Sequence, residues 1–378
     1  MNSRALSIRV ERCTNASEDY LYLLPVEAQR LEDLADQVVA DTAASYDRFR
    51  FIEKRVVDPR TWKDVGHRDN LIVYRERSGS RPTYPSIRSM DGSLQLIPCR
   101  SAPSVKIVGM LQGTLDDEMY GCFVDSDDAV KIRSMYLNDA AKDFHWLTTI
   151  AGPTEANPFR FCGVARCTMG IPVPLTKKRG DHTNIRAKCS LCWLKTELPN
   201  GKVELYMKGF AAPMGIVPEF AAFPVLVNCV LGIAMTSDAA YSKKLAWMIY
   251  DAGRTENGSV APPMDACIGR CKNAFGGPKN SASFRRCLVC HKAICSTCQI
   301  VRNIVVDIEK GQVNTKKCSV CILCMHQAKY YSPLAFARRD VRLKRWKSLD
   351  VTRLSVTSSS GHDVVLTELS DRLFYRTR

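Results

Sequence analysis

The sequence predicts an α+β protein: helices packed on one face of a curved antiparallel sheet, followed by a small metal-bound unit. Three observations predict it. Short strand-like runs, one pair joined by Asn200-Gly201, fill the middle of the chain. Amphipathic or apolar helical runs flank them. Nine of the 17 cysteines fall between Cys267 and Cys324.

The elements follow in order. Over residues 26–50, Val26, Leu31, Leu34, Val38, Val39, Ala43 and Tyr46 recur at helical spacing, with Glu32, Asp33 and Asp36 opposite. Strand-like runs follow at 70–77, 94–100 and 105–112. Residues 126–138 open as a helix, with Ser126 as N-cap and Asp127 and Asp128 in the first turn. Further strands are expected at 144–150, 159–169, 185–196 and 202–210, the last two forming a hairpin. One long apolar helix over 220–250 closes the block and carries Lys243, Lys244 and Trp247. The acidic triplet Asp116-Asp117-Glu118 reads as the solvated start of a short helix. Residues 254–263 are polar and turn-rich, a linker.

Composition narrows the classes. At 378 residues the chain is long enough for a sizeable core and two domains. With 46% hydrophobic and 25% charged residues it is neither disordered, fibrous nor polytopic in a membrane. The longest apolar stretch, 220–235, is shorter than a bilayer span and contains Pro224 and Asn228, so no transmembrane segment is expected. The first residues lack the apolar run of a signal peptide, so the expectation is an intracellular chain with reduced thiols. The net charge of +15 is uneven: residues 251–378 hold 22 Lys and Arg against 10 Asp and Glu. A basic region of this kind attracts lipid headgroups or nucleic acid. The stretch 338–347, which contains Trp346, reads as a basic tail.

Reduced, clustered cysteines point to metal. The run Cys287-x2-Cys290-x4-Cys295-x2-Cys298 holds two knuckles too close to form one compact site. They suit two interleaved sites, completed from Cys267 and Cys271 upstream and from Cys318, Cys321 and Cys324 downstream. Eight thiolates make two closed four-cysteine zinc shells, which are structural rather than catalytic. Cys162, Cys167, Cys189 and Cys192 read as core thiols. No HExxH, GxSxG, Walker A or GxGxxG motif occurs, so no catalytic residue is expected and the chain reads as a non-enzyme.

Residues 264–328 resemble a FYVE-type zinc finger. The likeness rests on the central C-x2-C-x4-C-x2-C, on Phe284-Arg285-Arg286 before it, and on Val320-Cys321-Ile322-Leu323-Cys324 after it. The family's cross-brace implies that Cys267, Cys271, Cys295 and Cys298 hold one zinc and that Cys287, Cys290, Cys321 and Cys324 hold the other. It leaves Cys318 spare, with pairing of Cys318 to Cys321 as the alternative. It implies phosphatidylinositol 3-phosphate recognition, here through Arg285, Arg286 and Lys292. The chain departs from the family in its C-x3-C first knuckle, in Leu288 after Cys287 where the family has arginine, in the missing Trp-x-x-Asp, and in His291 where the family has glycine. His291 and His326 read as solvated.

Residues 20–253 resemble a START (steroidogenic acute regulatory lipid-transfer) domain, a helix-grip fold found fused to FYVE-type fingers. The residues that carry the likeness include Gly113-Thr114-Leu115-Asp116-Asp117, Gly152-Pro153-Thr154, Val203-Glu204-Leu205-Tyr206-Met207-Lys208-Gly209 and Lys243-Lys244-Leu245-Ala246-Trp247. The family has further strands where this chain runs from Arg179 to Ile185, so a shortened sheet is expected. Together the resemblances imply a non-enzymatic, cytoplasmic protein, peripheral on endosomal or other intracellular membranes. Its implied partners are anionic lipids and an apolar lipid ligand, with residues 329–378 as a basic, partly disordered tail. An adaptor whose finger binds a protein or nucleic acid is the alternative.

Overall fold

The structure is a computed structural model. It describes residues 21–77, 104–138, 141–169, 187–213, 219–255, 267–269, 285–309 and 311–343. The strand expected at 94–100 lies outside these.

Helix α1 (Pro25–Asp47) runs into a π-helical turn, Arg48–Ile52. The strands β1 (Trp62–Arg68), β2 (Leu71–Glu76), β3 (Ser104–Leu111), β6 (Ala187–Glu197) and β7 (Val203–Pro213) form one antiparallel sheet in the order β1-β2-β3-β7-β6. Strand β1 has no strand-like pattern in sequence. It is a polar strand with a bulge between Asp64 and Gly66. A Cβ at Gly66 would lie 2.8 Å from Val227, so the glycine lets the helix that carries Val227 close over it. The expected hairpin turn forms: Leu198 N–H donates to the Lys202 carbonyl, and Gly201 takes φ 73°. Strands β4 (Ala141–Ala151) and β5 (Cys162–Met169) make a separate two-stranded ribbon.

Both faces of the large sheet are covered. Helix α4 (Glu219–Leu231) lays Phe223, Val227, Val230 and Leu231 on Leu71, Val73, Val105, Ile107, Leu205 and Met207. On the other face Tyr46 and Phe49 pack on Tyr206, with ring centroids 5.4 Å apart in each pair. Alternation along β3 and β7 sends successive side chains to these two layers.

The helix expected over 220–250 is two helices. A 3-10 turn, Gly232–Met235, separates α4 from α5 (Thr236–Thr255). The turn redirects the chain, so α5 leaves the sheet and packs against α2 (Leu115–Cys122) and α3 (Asp127–Leu137). At the α2–α5 crossing a Cβ on Gly121 would stand 2.0 Å from the Thr236 carbonyl, so only glycine fits. Ser126 caps α3 through the Ala129 N–H, as its position in sequence implies.

The acidic triplet corrects the expectation of a solvated helix start. Asp117 and Glu118 are fully buried. Lys244 Nζ lies 2.8 Å from Asp117, and Lys195 Nζ lies 3.0 Å from Glu118. Lys243 donates to the Tyr120 and Gly121 carbonyls at the α2 C-terminus. Charges are kept inside because each has a partner. By length and composition alone, residues Phe223–Gly253 are long and apolar enough to cross a membrane. Lys243 and Lys244, buried and partnered on α5, suit a core helix instead.

The C-terminal part comprises β8 (Arg285–Arg286), β9 (Ala293–Ile294), the long hairpin β10 (Gln299–Glu309) and β11 (Gln312–Cys321), α6 (Ile322–Tyr330) and α7 (Pro333–Arg342). One apolar cluster joins it to α5: Leu245, Trp247 and Ile249 pack with Ile294, Ile304, Val306, Val320, Met325 and Phe336. The basic stretch read as a tail begins as a docked helix. Arg339 pairs twice with Asp251 at 2.6 and 2.7 Å and stacks 3.8 Å over Trp247. Asp340 is buried and accepts from Tyr120 Oη and Trp247 Nε1. Residues 344–378 lie outside the described part.

Candidate metal centre

The cysteines gather as two groups. The Sγ atoms of Cys287, Cys290, Cys321 and Cys324 lie within 4.8 Å of one another. Those of Cys267, Cys295 and Cys298 form a second group within the same limit. Cys271 lies outside the described residues. No disulfide joins the described cysteines.

Local backbone geometry builds each group. The 287–290 knuckle closes through β8 and β9, and the Cys287 N–H donates to the Lys292 carbonyl. Cys321 ends β11 and is the N-cap of α6, so the 321–324 pair straddles a strand-to-helix turn. Backbone N–H groups point at sulfur: Cys321 to Cys287 Sγ at 3.3 Å, Cys324 to Cys321 Sγ at 3.3 Å, and Cys295 to Cys267 Sγ at 3.4 Å. Such bonds favour thiolate, the form that binds metal. Hydrogen bonds from Cys290, then Cys321 and Cys324, hold the Cys287 thiol far below its usual range.

The donor set fits zinc. A tetrahedron of sulfurs about 2.3 Å from the ion has edges of roughly 3.8 Å. Cys290 Sγ and Cys321 Sγ are 3.9 Å apart. In the second group the chain wraps the sulfur closely, since a Cβ on Gly269 would fall 2.5 Å from Cys298 Sγ. That cradle was missed in sequence, although a glycine two residues after Cys267 was its signal. Both groups can hold a metal ion such as zinc. A four-thiolate shell leaves no open position, so it cross-links chain rather than activating water.

Cys318 stands apart from the four-sulfur group, on β11. It is fully buried in the shared apolar cluster, and burial pushes its thiol up. The alternative pairing through Cys318 is therefore not the arrangement found. Among the described residues Cys162, Cys167 and Cys192 join no metal-holding group.

The three basic candidates sit on one small hairpin. Arg285 and Lys292 are exposed. Arg286 is half-buried and donates to the His291 carbonyl at 3.1 Å. His291 is also half-buried, with φ 57°, which corrects its reading as solvated. Its left-handed backbone closes the knuckle, with its N–H donating to the Cys287 carbonyl. His326 is exposed and stacks on Tyr330. Ile322, Leu323 and Tyr330 on α6 are exposed apolar side chains.

No family model matches the chain, and no curated protein matches it. Among solved structures, human StAR-related lipid transfer protein 5 is similar at 13% identity over 55% of this chain and 97% of its own, with a TM-score of 0.30. The lipid transfer and protein localization domain of human StarD13 (DLC2) is similar at 12% identity over 57% and 98%, with a TM-score of 0.28. Scores this low do not establish a shared fold.

Proposed function

We propose that this chain is a non-enzymatic, zinc-stabilised lipid-binding protein of the cytoplasm, peripheral on endosomal or other intracellular membranes. In this reading residues 20–253 form a START-like unit that takes an apolar lipid. Residues 264–328 form a FYVE-type finger holding two zinc ions, and Cys271 completes the second shell. Arg285, Arg286 and Lys292 meet the phosphates of a phosphoinositide such as phosphatidylinositol 3-phosphate. The observation that carries the reading is the interleaving of the cysteines: Cys287 and Cys290 gather with Cys321 and Cys324, across the intervening Cys295 and Cys298, which gather with Cys267. A basic strand enters that cross-brace at Cys287. Arginine suits phosphate because its planar fork is always charged.

Zinc, when bound, supplies a cross-link to a segment with little apolar mass of its own. The chain's own residues do the rest. The Cys321 and Cys324 N–H groups stabilise sulfur charge, and β8–β9 presents the basic side chains.

Elemental analysis of the purified chain tests the metal, with two zinc ions per chain expected. Liposome flotation tests the surface. Vesicles with phosphatidylinositol 3-phosphate should retain the chain better than vesicles of equal charge without it, and Arg285→Ala/Arg286→Ala should lose at least tenfold. Equal binding to both vesicles would instead mean general electrostatics. The adaptor reading draws on the exposed Ile322, Leu323 and Tyr330, which suit an apolar protein partner.

A further inference from the structure

Helix α1 ends in a turn that is anchored at both sides and still faces apolar side chains outward. In the π-helical turn Arg48–Ile52, Phe49 is buried against Tyr206. Arg55, just beyond, is tied to Glu204 at 2.7 and 3.0 Å. The backbone between these anchors closes on itself. Glu53 N–H donates to the Arg48 carbonyl, Arg55 N–H to that of Phe49, and Val56 N–H to that of Glu53. Lys54 and Arg55 are left-handed, with φ 51° and 63°, a region that residues with a Cβ seldom adopt. The turn therefore has a defined shape. Yet Phe51, Ile52 and Val56 are 58%, 72% and 64% exposed.

Single exposed apolar residues are ordinary on a protein surface, but three large ones within six positions make a patch. Its neighbours in the chain are basic. Arg48, Arg50, Lys54 and Arg55 share the stretch 48–56 with one acid, Glu53, which lies 3.5 Å from Arg48. Arg48 and Lys54 are exposed, and the Arg50 guanidinium lies 4.9 Å over the Phe51 ring. Apolar side chains this exposed stand out from the surface, which suits a partner they can enter. Apolar tips among cations match a bilayer with anionic headgroups. The tips enter the acyl boundary, and the cations stay at the phosphates on stems that cover apolar surface.

We propose that the turn at the end of α1 docks on an anionic lipid bilayer, with Phe51, Ile52 and Val56 as its apolar tip and Arg48, Arg50 and Lys54 beside them. The proposal rests on the peripheral-membrane part of the proposed function. It adds a contact that uses neither the cysteine groups nor Arg285, Arg286 and Lys292. Such a contact reads surface charge rather than one headgroup, so phosphatidylserine serves it without any phosphoinositide.

The test uses the full zinc-loaded chain and phosphatidylcholine vesicles with and without phosphatidylserine. Flotation should retain the native chain on the phosphatidylserine vesicles and release it as salt rises. Phe51→Ser/Ile52→Ser changes two exposed positions, where substitution costs the fold little. It should weaken that retention about tenfold. Lys54→Glu should weaken it in the same direction. Any preference for phosphatidylinositol 3-phosphate over equal charge should survive Phe51→Ser/Ile52→Ser, which separates this contact from that of Arg285 and Arg286. Insertion is read independently. On vesicles of brominated phosphatidylcholine with phosphatidylserine, Phe51→Trp should lose more fluorescence than the native chain. The proposal is overturned if the double variant and the native chain are retained alike, or if the added tryptophan is not quenched. The patch would then belong to a protein partner, and the finger's lipid reading would stand on its own test. No retention of the native chain on any vesicle, with or without phosphoinositide, would sink both. Should the double variant not fold, quenching at position 51 decides.

Discussion

His291 shows how one residue records the shape of a cysteine knuckle. With φ 57° it sits where a Cβ crowds the following carbonyl, at a cost of about 1–2 kcal/mol. Glycine escapes that cost. We expect His291→Gly to be more stable than His291→Ala by about 1 kcal/mol in chemical denaturation of the zinc-loaded chain. Equal stabilities would show that the left-handed turn is not strained. The cysteines were legible at this scale because metal ligation demands fixed spacing, and spacing is local. The acidic triplet was not. Asp117 and Glu118 look like ordinary first-turn acids, and their partners Lys244 and Lys195 lie 127 and 77 positions away. Nothing local distinguishes an acid that will be buried with a lysine from one that will face water.

Among elements, α7 departs most from its sequence pattern. Its run of arginines reads as a solvated tail, yet Arg339 and Asp340 both turn inward to Asp251, Trp247 and Tyr120. Burial raises the Asp340 carboxyl to about 7, against hydrogen bonds from Tyr120 and Trp247 that lower it. The folded pKa thus exceeds the unfolded one. Between about pH 4 and 7 the folded state binds more protons, so this group's contribution to stability falls as pH rises. We expect the native chain to lose stability relative to Asp340→Asn across that window, then to run parallel above it. Thermal unfolding at several pH values checks this, and parallel curves throughout would contradict it. Other elements were easier to read. Helices α1 and α3 and strands β2, β3, β6 and β7 follow from periodicity, caps and the Asn-Gly turn. Strand β1 escaped because it is a polar strand with a bulge. The break between α4 and α5 escaped because apolar periodicity runs unchanged through Gly232–Met235.

The whole molecule is tied together by α5. A sequence reading draws a border at the polar stretch after it, and composition does change there. Contacts do not respect that border. Leu245, Trp247 and Ile249 share one cluster with Val320, Cys321 and Met325. Such long-range packing leaves no periodic trace in either segment. Two consequences can be measured. A strong zinc chelator should lower the stability of both parts together, seen as one unfolding transition in place of two. Trp247 fluorescence should change with loss of the ion, although no cysteine in either metal group belongs to its helix. Two separate transitions, with the first leaving Trp247 unaffected, would mean that the parts fold independently.

That shared helix also bears on how long the protein survives. A finger on a flexible tether can lose its ion and leave its neighbour standing. Here the C-terminal part shares one apolar cluster with α5, so in the proposed zinc-bound reading loss of the ion would uncover the outer side of α5, an apolar surface of the kind that quality-control proteases select. The abundance of this chain in a cell would then rise and fall with zinc supply and with thiol oxidation, as though the metal were a licence to persist.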